Sequence, residues 1–217
     1  MGPKTLDHVA LWVADRDAIA DYAAERLGMH VIERTDRFTL VGADARHGKL
    51  TLFAAEGPRE PGALKHVGLR VTGLDGAPGA AQVAEGLEVR LVETPTDVEY
   101  DLDHVALWSA DPEATAREYL RYGFAEAAPA PGGEPRVEVG GAFVELHEGD
   151  PGDPERPLLN HIAVLVDSAD ELKAGAEEQG IEVADVVDAP NTYAVFVWLP
   201  ERVKLEYIEH KPTFSLT

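Results

Sequence analysis

Four short segments share the pattern Leu-x-His-(Val/Ile)-(Ala/Gly)-(Leu/Val): Leu6 to Leu11, Leu64 to Leu69, Leu102 to Leu107 and Leu159 to Val164. Leu6 to Trp12 and Leu102 to Trp108 are identical at all seven positions, so the chain reads as a duplication of an already duplicated unit. Each segment is an aliphatic and β-branched run followed by a turn or helix signal, which predicts a strand. Alternation along a strand places His8, Ala10 and Trp12 on one face and Val9, Leu11 and Val13 on the other. All four histidines therefore take equivalent faces. In a chain with eight histidines, four matched imidazoles point to metal ligation.

Each histidine strand opens a module. In module one, Asp15 to Gly28 carries acids at its start, apolar residues at helical spacing and a terminal glycine, so it predicts a helix. Strands are expected at Met29 to Arg34, Arg37 to Val41 and Lys49 to Ala54. Module three repeats the order, with a helix from Asp111 to Gly123 and strands at Phe124 to Ala127, Arg136 to Val139 and Ala142 to Glu148. Module four has a helix from Ser168 to Gly180 and strands at Glu182 to Val187, Tyr193 to Leu199 and Val203 to Ile208. Module two is shorter, offering a Gly-Ala-Pro-rich stretch from Gly73 to Gly86 and one strand, Leu87 to Glu93. The expected fold is α+β, four tandem βαβββ modules with the second truncated. The natural division is a module pair at 1–96 and another at 97–217, with a boundary near Thr94 to Tyr100.

Composition limits the function classes. With no cysteine, disulfides, thiolate catalysis and cysteine-bound zinc are excluded, so any metal must be held by nitrogen and oxygen. A formal charge of −21 repels nucleic acid and anionic membranes. No run is long and apolar enough to cross a membrane, and Met1 to Lys4 lacks the apolar core of a signal peptide, so a cytoplasmic protein is expected. The expected partner is a small molecule, with neither nucleic acid nor membrane, and homodimer formation is left open.

Acids accompany the histidines unequally. A gapless alignment of Gly48 to Phe53 with Gly141 to Leu146 places Leu52 opposite Glu145, while module four carries Glu206 inside the apolar run Val203 to Ile208. A buried, unpaired carboxylate costs several kcal/mol, roughly, and ligating a cation removes that cost. The C-terminal half thus holds the candidate metal set His104, Glu145, His161 and Glu206, suited to Fe, Mn, Ni, Co or Zn with positions left for substrate. His8 and His66 have no matching acid and read as hydrogen-bonded structural histidines. Trp108, Phe143, Phe196 and Trp198 are candidates to line a substrate pocket.

The repeated βαβββ unit, the histidine on its first strand and the glutamate on its last resemble the vicinal oxygen chelate superfamily of glyoxalases, epimerases, extradiol dioxygenases and bleomycin-resistance proteins. The resemblance implies that modules pair into two half-open barrels whose concave faces hold a divalent metal, and that substrate binds through adjacent oxygens. Carried over by position, His104, His161 and Glu206 match the dioxygenase ligands, and Glu145 completes the four-ligand set of the glyoxalases. It also implies catalytic roles. Glu145 or Glu206 would move the proton in lyase or isomerase chemistry, whereas in ring cleavage His147 stands in for the usual catalytic histidine and Phe196 replaces the usual tyrosine. Lyase or isomerase chemistry is the expectation, with ring-cleaving dioxygenase and metal-free ligand sequestration as alternatives.

Overall fold

The computed structural model describes residues 2–74, 79–84 and 86–214. Module one comprises β1 (Thr5–Val13), α1 (Arg16–Leu27), β2 (His30–Arg34), β3 (Phe38–Gly42) and β4 (Lys49–Ala54). Asp15 caps α1 by accepting from the Ala18 amide, and Gly28 ends it at φ 72°, a conformation that costs glycine nothing. Module two is β5 (Leu64–Val71), β6 (Ala80–Ala84) and β7 (Leu87–Glu93). The short β6 falls in the Gly-Ala-Pro-rich stretch, where no strand was expected; positions 75–78 and 85 of that stretch lie outside the described residues.

Module three contains β8 (Tyr100–Ser109), α2 (Pro112–Tyr119), β9 (Ala125–Glu126), β10 (Arg136–Val139) and β11 (Ala142–Glu148). Module four contains β12 (Leu159–Leu165), α3 (Ala169–Glu178), β13 (Val183–Asp188), β14 (Thr192–Trp198) and β15 (Lys204–His210). The helices are capped as their sequences require: Asp111 accepts from Ala114 and Ser168 from Glu171. No helix among the described residues is long and apolar enough to cross a membrane.

Two mixed sheets result, ordered β13-β14-β15-β12-β1-β4-β3-β2 and β6-β7-β5-β8-β11-β10-β9. They are the two half-open barrels expected of paired modules, but the pairing differs from the division at 1–96 and 97–217. β1 runs antiparallel to β12, and β5 antiparallel to β8. Module one therefore joins module four, and module two joins module three. In each module the first strand takes its own last strand in parallel on one edge, leaving the other edge open for any equivalent strand. Residues 55–63 carry the chain away from the first sheet to the second, and the link after β7 turns directly into β8, so the inner modules pair as sequence neighbours and the outer ones close the first sheet.

The two faces of each sheet are sorted by the two-residue period. Val9, Leu11, Leu50 and Leu52 in the first sheet, and Val105, Leu107, Val144 and Leu146 in the second, are buried in one continuous core that includes residues of all four modules. Each such side chain contributes about 1.5–3 kcal/mol relative to exposure. The opposite faces are the concave ones, and they carry the histidines.

Candidate functional site

The recurring motif has a steric explanation in the register. His8 lies opposite Ala163 and Ala10 opposite His161, while His66 lies opposite Ala106 and Gly68 opposite His104. The small residue two positions after each histidine is the floor beneath the partner strand's imidazole. At Gly68 the fit is closed, because a Cβ there would stand 2.3 Å from His104 Cε1. The motif thus brings histidines together in pairs from two modules.

In the first barrel His8, His161 and Glu206 converge. Nε2 of His8 is 3.0 Å from Nε2 of His161 and 3.2 Å from Glu206 Oε2, and His161 Nε2 is 3.0 Å from the same oxygen. Three ligands at mutual right angles, with bonds of about 2.1 Å, have donor atoms about 3.0 Å apart. The triangle therefore fits one face of a metal coordination sphere. The imidazoles are oriented by the preceding residue: His8 Nδ1 donates to Asp7 Oδ1 at 2.8 Å and His161 Nδ1 to Asn160 Oδ1 at 3.1 Å. Asp7 is itself bound by Lys49 Nζ at 2.8 Å and by His210 Nε2 at 3.1 Å.

Electrostatics follow from these contacts. Burial pushes the Asp7 carboxyl up, but Lys49, with hydrogen bonds from His210 and His8, outweighs it and holds the group well below the usual range. Burial opposes charge on His8, yet Asp7 and Glu206 raise it to about 9. Glu206 is likewise opposed by burial but brought down to about 2 by His161 and His8. Burial lowers His161, with Glu206 acting against it. Without a metal, an imidazolium on His8 donates to His161 Nε2, and a cation would replace that proton.

The second barrel brings together His66, His104 and Glu145. Nε2 of His66 is 2.9 Å from Nε2 of His104, and Glu145 Oε2 is 3.8 Å from the latter. His104 Nδ1 donates to Asp103 Oδ1 at 2.7 Å. His66 follows Lys65 instead of an acid, and its buried Nδ1 has no hydrogen-bond partner among the described residues. Burial, together with His104 and Arg90, drives His66 down to about 3, so its imidazole is neutral at physiological pH.

The expected single centre is therefore divided. His104 and Glu145 lie in one barrel, His161 and Glu206 in the other, and each pair is completed by a histidine, His66 or His8, for which the sequence predicts a structural role. The fourfold motif itself was the signal for those two. The gapless alignment was also off by one residue. Ala106 pairs with Glu145 and Ala163 with Glu206, so the matching position in module one is Thr51, opposite Ala10, and in module two it is Arg90, opposite Gly68. Neither cluster has a second glutamate at that register position.

The aromatic candidates divide the same way. Phe196 and Trp198 belong to the first bowl, where Trp12, Phe38 and Phe53 join them. Trp12 and Phe53 rings lie 5.3 Å apart, and His161 lies 5.3 Å from Phe196 and 6.4 Å from Phe53. A cavity of about 260 Å³ opens beside this bowl, bordered by Trp12, Asn160, Trp198 and Lys204. Its rim includes Glu201 and Arg202, both at positive φ, where Glu201 is held by hydrogen bonds from Ser109 and Thr115 of module three. Trp108 and Phe143 lie in the second bowl, beside His147, Lys65 and Arg136.

Similar folds occur among solved structures. A Bacillus subtilis subsp. subtilis str. 168 protein described as a putative dioxygenase superposes with a TM-score of 0.75 at 15% identity, over 98% of this chain and 87% of that one. Glyoxalase I from Zea mays gives a TM-score of 0.71 at 15% identity, over 94% of this chain and 92% of its own. No curated protein gives a significant sequence match. Residues 5–113, half of the chain, match the family described as Glyoxalase/Bleomycin resistance protein/Dioxygenase superfamily, and with the paired modules and their histidine-glutamate clusters this chain belongs to it.

Proposed function

We propose that the chain is a divalent-metal enzyme whose working centre is His8, His161 and Glu206, acting on a small planar substrate with two adjacent oxygens. The observation that carries this reading is the triangle of donors with edges of 3.0, 3.0 and 3.2 Å and no second acid in reach of it by register. Two histidines and one carboxylate leave positions for exogenous ligands, the donor set of non-haem iron oxygenases. Bound there, a divalent cation would supply Lewis acidity to the substrate's oxygens.

The chain's own residues divide the remaining work. Asp7 and Asn160 fix the imidazole tautomers and aim both Nε2 atoms into the bowl. Phe53, Phe196 and Trp12 offer ring faces to a flat substrate and exclude water. Lyase or isomerase chemistry through a glutamate that leaves the metal has less support than the sequence suggested, because Thr51 occupies the place of that second acid. Ring-cleaving oxygenation is the better-supported reaction class.

Elemental analysis of protein purified without added metal is the first test, with at least one equivalent of iron, manganese or a neighbouring metal expected per chain. Oxygen uptake with catechols is then compared with turnover of hemithioacetals. Catechol-dependent uptake is the expected result. Hemithioacetal turnover alone would restore the lyase reading, and a metal-free protein that binds ligand without turnover would make the chain a sequestering protein.

A further inference from the structure

The second bowl contains a donor with nothing to donate to. His147, on β11 two residues beyond Glu145, is only 8% exposed, and its Nε2 has no hydrogen-bond partner among the described residues. Its Nδ1 lies 2.9 Å from Lys65 Nζ. An ammonium can only donate, so Nδ1 must accept and the ring proton must reside on Nε2. Glu134 Oε1 is also near Nδ1, but at 3.5 Å it is the more distant neighbour. Lys65 is braced in turn, 4.5 Å over the Trp108 ring, and Trp108 meets His147 edge-on at 6.2 Å. The imidazole is thus clamped as an Nε2–H tautomer with its N–H turned toward the concave face, 3.8 Å from Glu145 Oε2.

Two further cations line this bowl beside the Glu145 carboxylate. Arg136 stacks 3.8 Å over Phe143 and lies 3.6 Å from Glu145 Oε1, and Arg90 stands opposite Gly68. The first bowl has nothing comparable at the matching position, since the residue opposite Trp12 is Phe53 where the residue opposite Trp108 is His147. Leaving a buried N–H unsatisfied is costly, and an acceptor oxygen from a ligand would recover that cost.

We propose that the second barrel is a separate ligand site for a small oxyanion, a carboxylate or phosphate group, which accepts a hydrogen bond from His147 Nε2–H while Lys65 and Arg136 balance its charge. His147 is the recognition residue, and Lys65 is a positioning residue that sets the tautomer. The site does not depend on the reaction assigned to the first barrel.

The test uses the full chain loaded with zinc, which is diamagnetic. Side-chain ¹H–¹⁵N spectra should show His147 protonated at Nε2 and free of metal, and titration with malonate or inorganic phosphate should move that resonance. Calorimetry should give saturable binding, weakened at least tenfold in Lys65→Met and in His147→Phe. Malonate and phosphate compared side by side distinguish a carboxylate from a phosphate ligand. Protonation at Nδ1, zinc on Nε2, no binding of either anion, or equal affinity in Lys65→Met would each overturn the proposal. Should His147→Phe fail to fold, the wild-type spectrum and Lys65→Met still decide it. Failure here leaves the metal content and oxygen uptake of the first barrel untouched, so the two readings fail separately.

Discussion

The two barrels have the same plan and different contents. Both place two histidines and a glutamate on the first and last strands of paired modules, yet the first surrounds them with Trp12, Phe38, Phe53, Phe196 and Trp198, with Lys204 at the edge, and the second sets Lys65, Arg90, Arg136 and His147 beside two aromatics, Trp108 and Phe143. The residue before each histidine carries much of the contrast. Asp7 raises His8 into an imidazolium bound to Glu206, whereas Lys65 turns away to His147 and leaves His66 neutral, with Nδ1 unpartnered. A duplicated scaffold has thereby produced one compact donor triangle in an aromatic bowl and one looser cluster in a charged bowl. The difference teaches that the histidine-glutamate pattern fixes where a metal can sit, while the neighbours decide what is bound beside it.

The comparison breaks most easily at the acids. Glu206→Ala removes the only carboxylate of the first triangle. Metal content should fall by one equivalent per chain, and catechol-dependent kcat/KM by at least about 10³-fold, the scale of several kcal/mol of lost Lewis-acid stabilisation. Glu145→Ala should remove metal from the second barrel but cost catechol turnover less than about tenfold. Equal losses in the two variants would mean that the barrels share one task.

A smaller effect separates them by pH. In the metal-free protein His8 titrates at about 9 against 6.5 for the free side chain. A raised value means that the folded state binds the proton more tightly, so the associated stability is complete below about pH 6.5 and lost as pH rises through 9, amounting to about 3 kcal/mol. Glu206 runs the other way, at about 2 against 4.5, so its contribution is present above about pH 4.5 and lost as pH falls through 2. Denaturation of chelator-treated protein from pH 6 to 10 should therefore show declining stability. Metal affinity at the first site should climb over the same range, because the cation displaces the His8 proton. At the second site, His66 needs no such displacement, and its affinity should be flatter. A first site as flat as the second would remove the distinction drawn from Asp7 and Lys65.

Much of this architecture was legible in the sequence, for identifiable reasons. Helix caps at Asp15, Asp111 and Ser168 and the stop at Gly28 are local signals, and the structure honours each of them. Strand pairing is not local. Leu6 to Trp12 and Leu102 to Trp108 are identical, so nothing in them states that β1 should take β12 and β8 take β5. Loop direction and packing across the core decide that, and they moved His104 and His161 into different barrels. The second failure was one of register. Matching Leu52 to Glu145 put a fully buried core residue where Thr51 belongs, and with a side-chain period of two a slip of one residue exchanges the faces. The register is fixed by each last strand's pairing with its own histidine strand, not by the glycine that precedes it.

The subtlest difference between the bowls is at Phe53, the counterpart of His147. Its ring packs on Trp12 at 5.3 Å and Phe38 at 5.8 Å and faces His161 at 6.4 Å, so it walls the first site without touching the donor triangle through any hydrogen bond. If it serves as a stacking surface, Phe53→Leu keeps the bulk and loses the ring face, at a cost of about 0.5–1.5 kcal/mol of aromatic contact. That corresponds to a rise in KM for a planar substrate of about 2- to 13-fold, with kcat and metal content near wild type. Steady-state kinetics on catechols with and without ring substituents would measure it. A loss confined to kcat would place Phe53 among the groups that shape the metal ligands, and would remove the aromatic bowl as the feature that separates the first barrel's substrate from the second barrel's oxyanion.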